Sequence, residues 1–152
     1  MALQFMIREE VAAPPAQVFA AATDLHAARQ WMPNLVSLET LTAGPFGKGT
    51  KFRETRKMFG RDATEYFEVT GYEPGKQFEF FVDGTKGSSR RGQYRFRYAF
   101  APSAKGTTVT LDGDIGGMGK IGELIGRLLM GPVMKKAIAK DLAALRKYVE
   151  QR

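Results

Sequence analysis

Three charged side chains stand where the alternation of the chain puts apolar ones. In Thr50–Met58, Phe52 and Met58 mark one face of an extended strand, and Glu54 and Arg56 share it. In the next stretch Glu65 shares its face with Phe67 and Val69. A charge taken out of water is costly unless it is paired. Two readings stay open. The three form an internal network that orients a ligand's polar group, with Arg56 on an acidic or carbonyl group. Otherwise they lie solvated at strand ends, or a bulge shifts the register. Tyr66, Tyr94 and Tyr98 are hydroxyl donors of the same kind.

Other chemistries are excluded by residue type. Cysteine is absent, so there are no disulfides, thiolate metal sites or cysteine nucleophiles. His26 is the single histidine and Asp24 the one close carboxylate, so no metal site and no Ser-His-Asp arrangement can be built on it. It is expected to cap or cover a short helix. No cofactor is expected. Gly47-Lys48-Gly49-Thr50 looks like part of a phosphate loop, but Thr42 stands at the first glycine position, Gly49 at the Ser/Thr position, and the flanks are strands.

The net charge of +7 admits nucleic acid or an anionic membrane as partners. Arg90, Arg91, Arg95 and Arg97 lie on one outer strand face and Lys51, Arg53 and Lys57 on another. Glu79, Asp83, Asp112 and Asp114 occupy neighbouring outer positions. The phenylalanines point inward, leaving no aromatic platform for bases. No nucleic acid is expected, and membrane contact is at most transient, through the lysines of the last helix. The N-terminal residues lack a signal-peptide pattern and no window is apolar enough to span a bilayer, so a cytoplasmic protein, monomer or homodimer, is expected.

The elements that must position these residues follow from periodicity. Leu3–Val11 alternates as a first strand. Pro14-Pro15 opens a short helix to Thr23, and Thr23-Asp24 caps a second over Leu25–Trp31. Strands are predicted over 35–42, 50–58, 63–72, 77–82, 91–100 and 107–115, joined by tight turns and hence antiparallel. Phe67, Val69, Phe78, Phe80, Val82, Tyr94, Phe96, Tyr98, Phe100, Val109, Leu111 and Ile115 share the inner face. Met118–Arg152 has apolar residues at helical spacing: Ile121, Leu124, Ile125, Leu128, Met134, Ile138, Leu142, Leu145 and Val149. Gly131-Pro132 divides it into a gripped half and a glycine-rich half that would form a looser lid over Ile121–Met130. Gly119, Gly122, Gly126 and Gly131 remove side chains where a filled core would want them, which favours a cavity. At 152 residues, the chain is expected to form one domain over 1–152.

The order of elements resembles the START-like, helix-grip (SRPBCC) superfamily, in its polyketide cyclase/dehydrase-like branch. The carriers are Val11-Ala-Ala-Pro-Pro-Ala-Gln-Val-Phe19, Thr23-Asp24 with Trp31-Met32-Pro33, the loop Gly44-Pro-Phe-Gly-Lys-Gly-Thr50 leading into Lys51-Phe52-Arg53, and the terminal helix. The resemblance implies an α+β fold: a curved antiparallel sheet of about seven strands gripping a long C-terminal helix around an apolar cavity. It also implies that the glycine loop lies near the cavity mouth. Members bind lipids, sterols, hormones or polyketides, and some are cyclases. The expectation is therefore a hydrophobic small-molecule binder or carrier, with a cyclase or dehydrase as the alternative and a basic-surface interaction module as a third. The ligand-lining residues would be Glu54, Arg56, Glu65, Phe67, Phe80, Tyr94, Phe96, Tyr98, Ile121, Ile125 and Met134.

Overall fold

The computed structural model describes residues 3–125 and 131–152. Seven strands are present: β1 (Leu3–Val11), β2 (Leu35–Thr40), β3 (Lys51–Met58), β4 (Arg61–Glu73), β5 (Gln77–Asp83), β6 (Gln93–Ser103) and β7 (Gly106–Gly116). They form one antiparallel sheet in the order β1-β7-β6-β5-β4-β3-β2. Among the described residues α1 (Pro15–Thr23), α2 (Gly119–Ile125) and α3 (Gly131–Glu150) accompany it.

Each strand exists for the reason its alternation gives. Along β7 every second residue from Thr107 to Ile115 is buried, and Phe78, Phe80 and Val82 are the buried positions of β5. The register lays these inner residues side by side. Phe78 faces Tyr98, Phe80 faces Phe96, and Tyr98 in turn faces Leu111. Gly113 is the gap in this pattern. A Cβ there would lie 2.2–2.7 Å from ring atoms of Phe5, so its absence admits that ring from β1.

The structure corrects several boundaries. Leu25–Trp31 is not a helix; only a 3₁₀ turn, Ala28–Gln30, forms there. Asp24 holds the turn that precedes it, accepting the backbone N–H of His26 and Ala27 at 3.2 Å each. The β3–β4 turn is tighter than predicted, with only Phe59 and Gly60 between paired Met58 and Arg61. Their φ values of 52° and 78° are the left-handed pair of a type I′ hairpin turn.

Helix α3 is gripped as its stripe requires. Leu142, Leu145 and Val149 are buried against the sheet. Two polar ties fasten it to the chain's beginning: Arg146 Nε donates to Glu9 at 2.8 Å, and Glu150 accepts the Ala12 backbone N–H at 2.8 Å. Pro132 falls in its first turn, where the missing N–H costs no helical bond. Half of the predicted lid, residues 126–130, lies outside the described residues.

Candidate functional site

Between the inner face of the sheet and α3 lies a cavity of about 220 Å³. Phe52, Phe67, Phe80, Phe96 and Tyr98 form its sheet wall. Met134, Ala137, Ile138 and Asp141 face them from α3, and Trp31 and Met32 close one side. The wall is predominantly apolar, with a few polar groups gathered on it, which is the usual build of a small-molecule site.

Those polar groups form one cluster. Arg56 donates through Nε to Glu54 at 2.7 Å and through Nη1 to Asp141 at 2.8 Å. Glu54 and Arg56 are held by the regular pairing of β3 with β4, and Asp141 by one turn of α3, so strand and helix are linked across the cavity wall. The three side chains are 11–20% exposed. Burial pushes the Glu54 carboxyl above its ordinary range, against the opposing pull of Arg56. Asp141 is raised for the same reasons. Burial alone would lower Arg56, but the two carboxylates more than offset this and hold it above its usual value. Tyr98 is also pushed up, by burial first and then by the nearby Asp141 carboxylate. Its hydroxyl has no hydrogen-bond partner among the described residues. The Trp31 indole N–H is buried and also unpartnered.

Of the residues expected to line the cavity, Glu54, Arg56, Phe67, Phe80, Phe96, Tyr98 and Met134 do so. Glu65 does not. It lies opposite Glu54 in the β3–β4 register but turns to the β5–β6 loop, accepting the Ser89 N–H and hydroxyl at 3.1 Å each. Burial still raises its carboxyl, with those two hydrogen bonds acting the other way. Tyr94 also lies away from the wall, packed with Val82 and Ile115, its hydroxyl donating to the Arg91 carbonyl at 3.3 Å. Ile121 is 75% exposed on α2. The side chain of Ile125 lies outside the described residues. Tyr66 sits on the outer face, since it alternates with Glu65 and Phe67.

Among the described helix glycines, Gly119, Gly122 and Gly131 are not in the cavity wall, and Gly126 lies outside the described residues. Small residues in the wall are Ala22, Ala28 and Ala137. The glycine loop, expected near the mouth, supplies no residue of the cavity wall. Its Phe46 is inserted among Tyr72, Phe78 and Phe80 at ring distances of 5.5–6.2 Å. Asp141, which the sequence reading did not single out, is the main addition. It stands three residues after Ile138 and four before Leu145, a charge on the apolar stripe of the helix.

The outer face behaves differently. A hollow of about 270 Å³ there is lined by Leu41, Tyr66 and Phe81 and by charges of both signs, Lys51, Glu68, Asp83 and Lys86. The arginines of this face are largely matched: Arg95 and Arg97 with Glu79, Arg97 with Asp114, and Arg53 with Glu39. Among the described residues this hollow has no buried polar cluster converging on it. Among the described residues no group of histidines and carboxylates could hold a metal, and no helix is long and apolar enough to cross a membrane.

A curved seven-stranded antiparallel sheet around a C-terminal helix is the helix-grip fold. The family described as polyketide cyclase / dehydrase and lipid transport matches residues 4–150, and the chain belongs to it. Solved structures of the same fold include Ara h 8.0201, with 15% identity, full coverage of both chains and a TM-score of 0.79. TTHA0849 from Thermus thermophilus is 21% identical, with 98% and 97% coverage and a TM-score of 0.75. The Zhui aromatase/cyclase from Streptomyces sp. R1128 is 16% identical, with 100% and 94% coverage and a TM-score of 0.76. No curated protein matches the chain in sequence.

Proposed function

We propose that this protein binds or carries a hydrophobic small molecule, lipid, polyketide or aromatic in character, in the cavity between sheet and α3. The observation that carries the reading is the apolar cavity of about 220 Å³ with the Glu54–Arg56–Asp141 cluster on its wall. Benzene occupies a cavity of about 150 Å³ in a comparable setting, so this one suits roughly nine non-hydrogen atoms. A longer ligand would extend through the mouth. The reading takes the protein to work in the cytoplasm, with at most transient membrane contact.

The single tryptophan, Trp31, lies in the cavity wall and supplies the test. Titration with 2-naphthol should quench its fluorescence saturably, to one molecule per chain. Ala137→Phe, which fills the cavity, should abolish the effect. Quenching that never saturates, or that survives Ala137→Phe, would defeat the proposal. Mass spectrometry of an organic extract of the purified protein then identifies what it retains.

A second reading, a cyclase or dehydrase acting on such a ligand, is favoured by one observation. Two carboxyls raised by burial share a wall with the Tyr98 hydroxyl, so a proton donor and a polarising guanidinium face the same space. Under that reading Asp141→Asn and Tyr98→Phe lower turnover while binding is kept; under the carrier reading they alter binding alone.

A further inference from the structure

We infer that the cavity sorts ligands by charge: it takes a ligand whose buried polar end is a hydroxyl or a protonated amine, and excludes one that ends in a carboxylate. The inference rests on the binding function proposed above and names the ligand class for the same cavity.

The argument is a charge count. Among the described residues Arg56 is the single cationic side chain in the wall, and it faces two carboxylates, Glu54 at 2.7 Å and Asp141 at 2.8 Å. With all three ionised the cluster carries one surplus negative charge. Glu65, directly across from Glu54 in the β3–β4 ladder, adds to it rather than relieving it. A ligand carboxylate would therefore be one more anion beside a guanidinium already committed twice, in a medium that screens charge poorly. This reverses the simpler expectation that Arg56 receives an acidic group.

A hydrogen-bond donor meets the opposite situation. Each ionised carboxylate offers about four lone-pair sites. Among the described residues Glu54 and Asp141 each accept one hydrogen bond, from Arg56, and no other. The Tyr98 hydroxyl, on the same wall and without a partner among those residues, accepts as readily as it donates. A hydroxyl gains these acceptors, and an ammonium also cancels the surplus charge.

Calorimetry on the whole protein at about pH 7.5, where free carboxylates and amines are ionised, tests this with three ligands of one shape. These are 2-phenylethanol, 2-phenylethylamine and phenylacetate. The alcohol and the amine should bind, and phenylacetate should bind at least tenfold more weakly than the alcohol. Asp141→Asn keeps the side-chain shape and balances Arg56 against Glu54 alone. It should narrow the alcohol-to-acetate ratio at least tenfold and weaken the amine. Glu54→Gln should do the same, and serves if Asp141→Asn fails to fold by circular dichroism. Phenylacetate binding within threefold of the alcohol in the wild type overturns the charge rule while leaving the binding function standing. So does a ratio that both variants leave unmoved. Absence of heat with all three ligands overturns the binding function and this inference with it.

Discussion

Phe96 and Phe100 lie on one strand, on one face, four residues apart, yet their surroundings differ. Around Phe100 other elements bring rings down onto the sheet: Phe19 from α1 at 5.3 Å, with Phe46 from the glycine loop completing the cluster through Phe78. Around Phe96 the facing helix offers Met134, Ala137, Ile138 and Asp141, and a void remains. The sheet is equally aromatic at both ends. What differs is the element opposite. A filled core and a cavity are therefore chosen by the partner of the strands and not by the strands, and the charged cluster belongs to the end where nothing fills the space.

The largest expected effect breaks the comparison at the cavity end. Arg56→Met leaves Glu54 and Asp141 facing each other without a cation, and should cost about 3–5 kcal/mol at neutral pH in urea unfolding. A loss under about 1 kcal/mol would mean that the cluster is solvated through the mouth. At the packed end Leu111→Ala, fully buried and away from the cavity, should cost about 2–5 kcal/mol. Ile138→Ala, beside existing space, should cost only about 1 kcal/mol, because most of its surroundings are already open. Equal losses at the two positions would erase the distinction between the ends.

The pH dependence sharpens it further. Glu54, Asp141 and Glu65 are raised in the folded state by burial, so the native protein holds protons there that the unfolded chain has released. Their contribution to stability is present below the unfolded carboxylate value of about 4 and is lost as pH rises through the raised folded values. Glu10 and Asp83, exposed and lowered by hydrogen bonds from Thr108 and Thr85, act the other way and lose stability as pH falls. Asp141→Asn should therefore flatten the decline on the upper side and leave the acid side unchanged. The smallest effect is expected outside: Arg95→Ala removes an exposed pair with Glu79 and should stay within about 1 kcal/mol.

The sheet was readable because its strands alternate over long runs: β5, β6 and β7 carry an apolar residue at almost every second position, and that sets the face of each neighbour. Asp141 carried a readable signal, a carboxylate on the apolar stripe of α3. Glu65 did not. Its parity agrees with Glu54, but a loop twenty-four residues away supplies Ser89 and draws the carboxylate off the cavity. Tyr94 has the right face and the wrong end, a distinction that alternation cannot make. The cavity itself depends on which residues meet across space, Ala22, Ala28 and Ala137 among them, and no spacing within one element announces that.

The partnership of β1 with β7 sets an order of assembly. Strands β2 to β7 each pair with a neighbour in sequence and can zip up hairpin by hairpin. Leu3, by contrast, pairs with Ile115, across nearly the whole sheet-forming part of the chain. Closing so long a loop carries a large entropic cost before any contact rewards it. We therefore expect β1 to seat late, bringing Glu9 and the Ala12 N–H to Arg146 and Glu150 on α3, and slower formation of the β1–β7 ladder than of the hairpins in pulsed hydrogen exchange would check it. The cavity in turn exists only once α3 has closed over the aromatic face, because Met134, Ala137, Ile138 and Asp141 supply one of its walls.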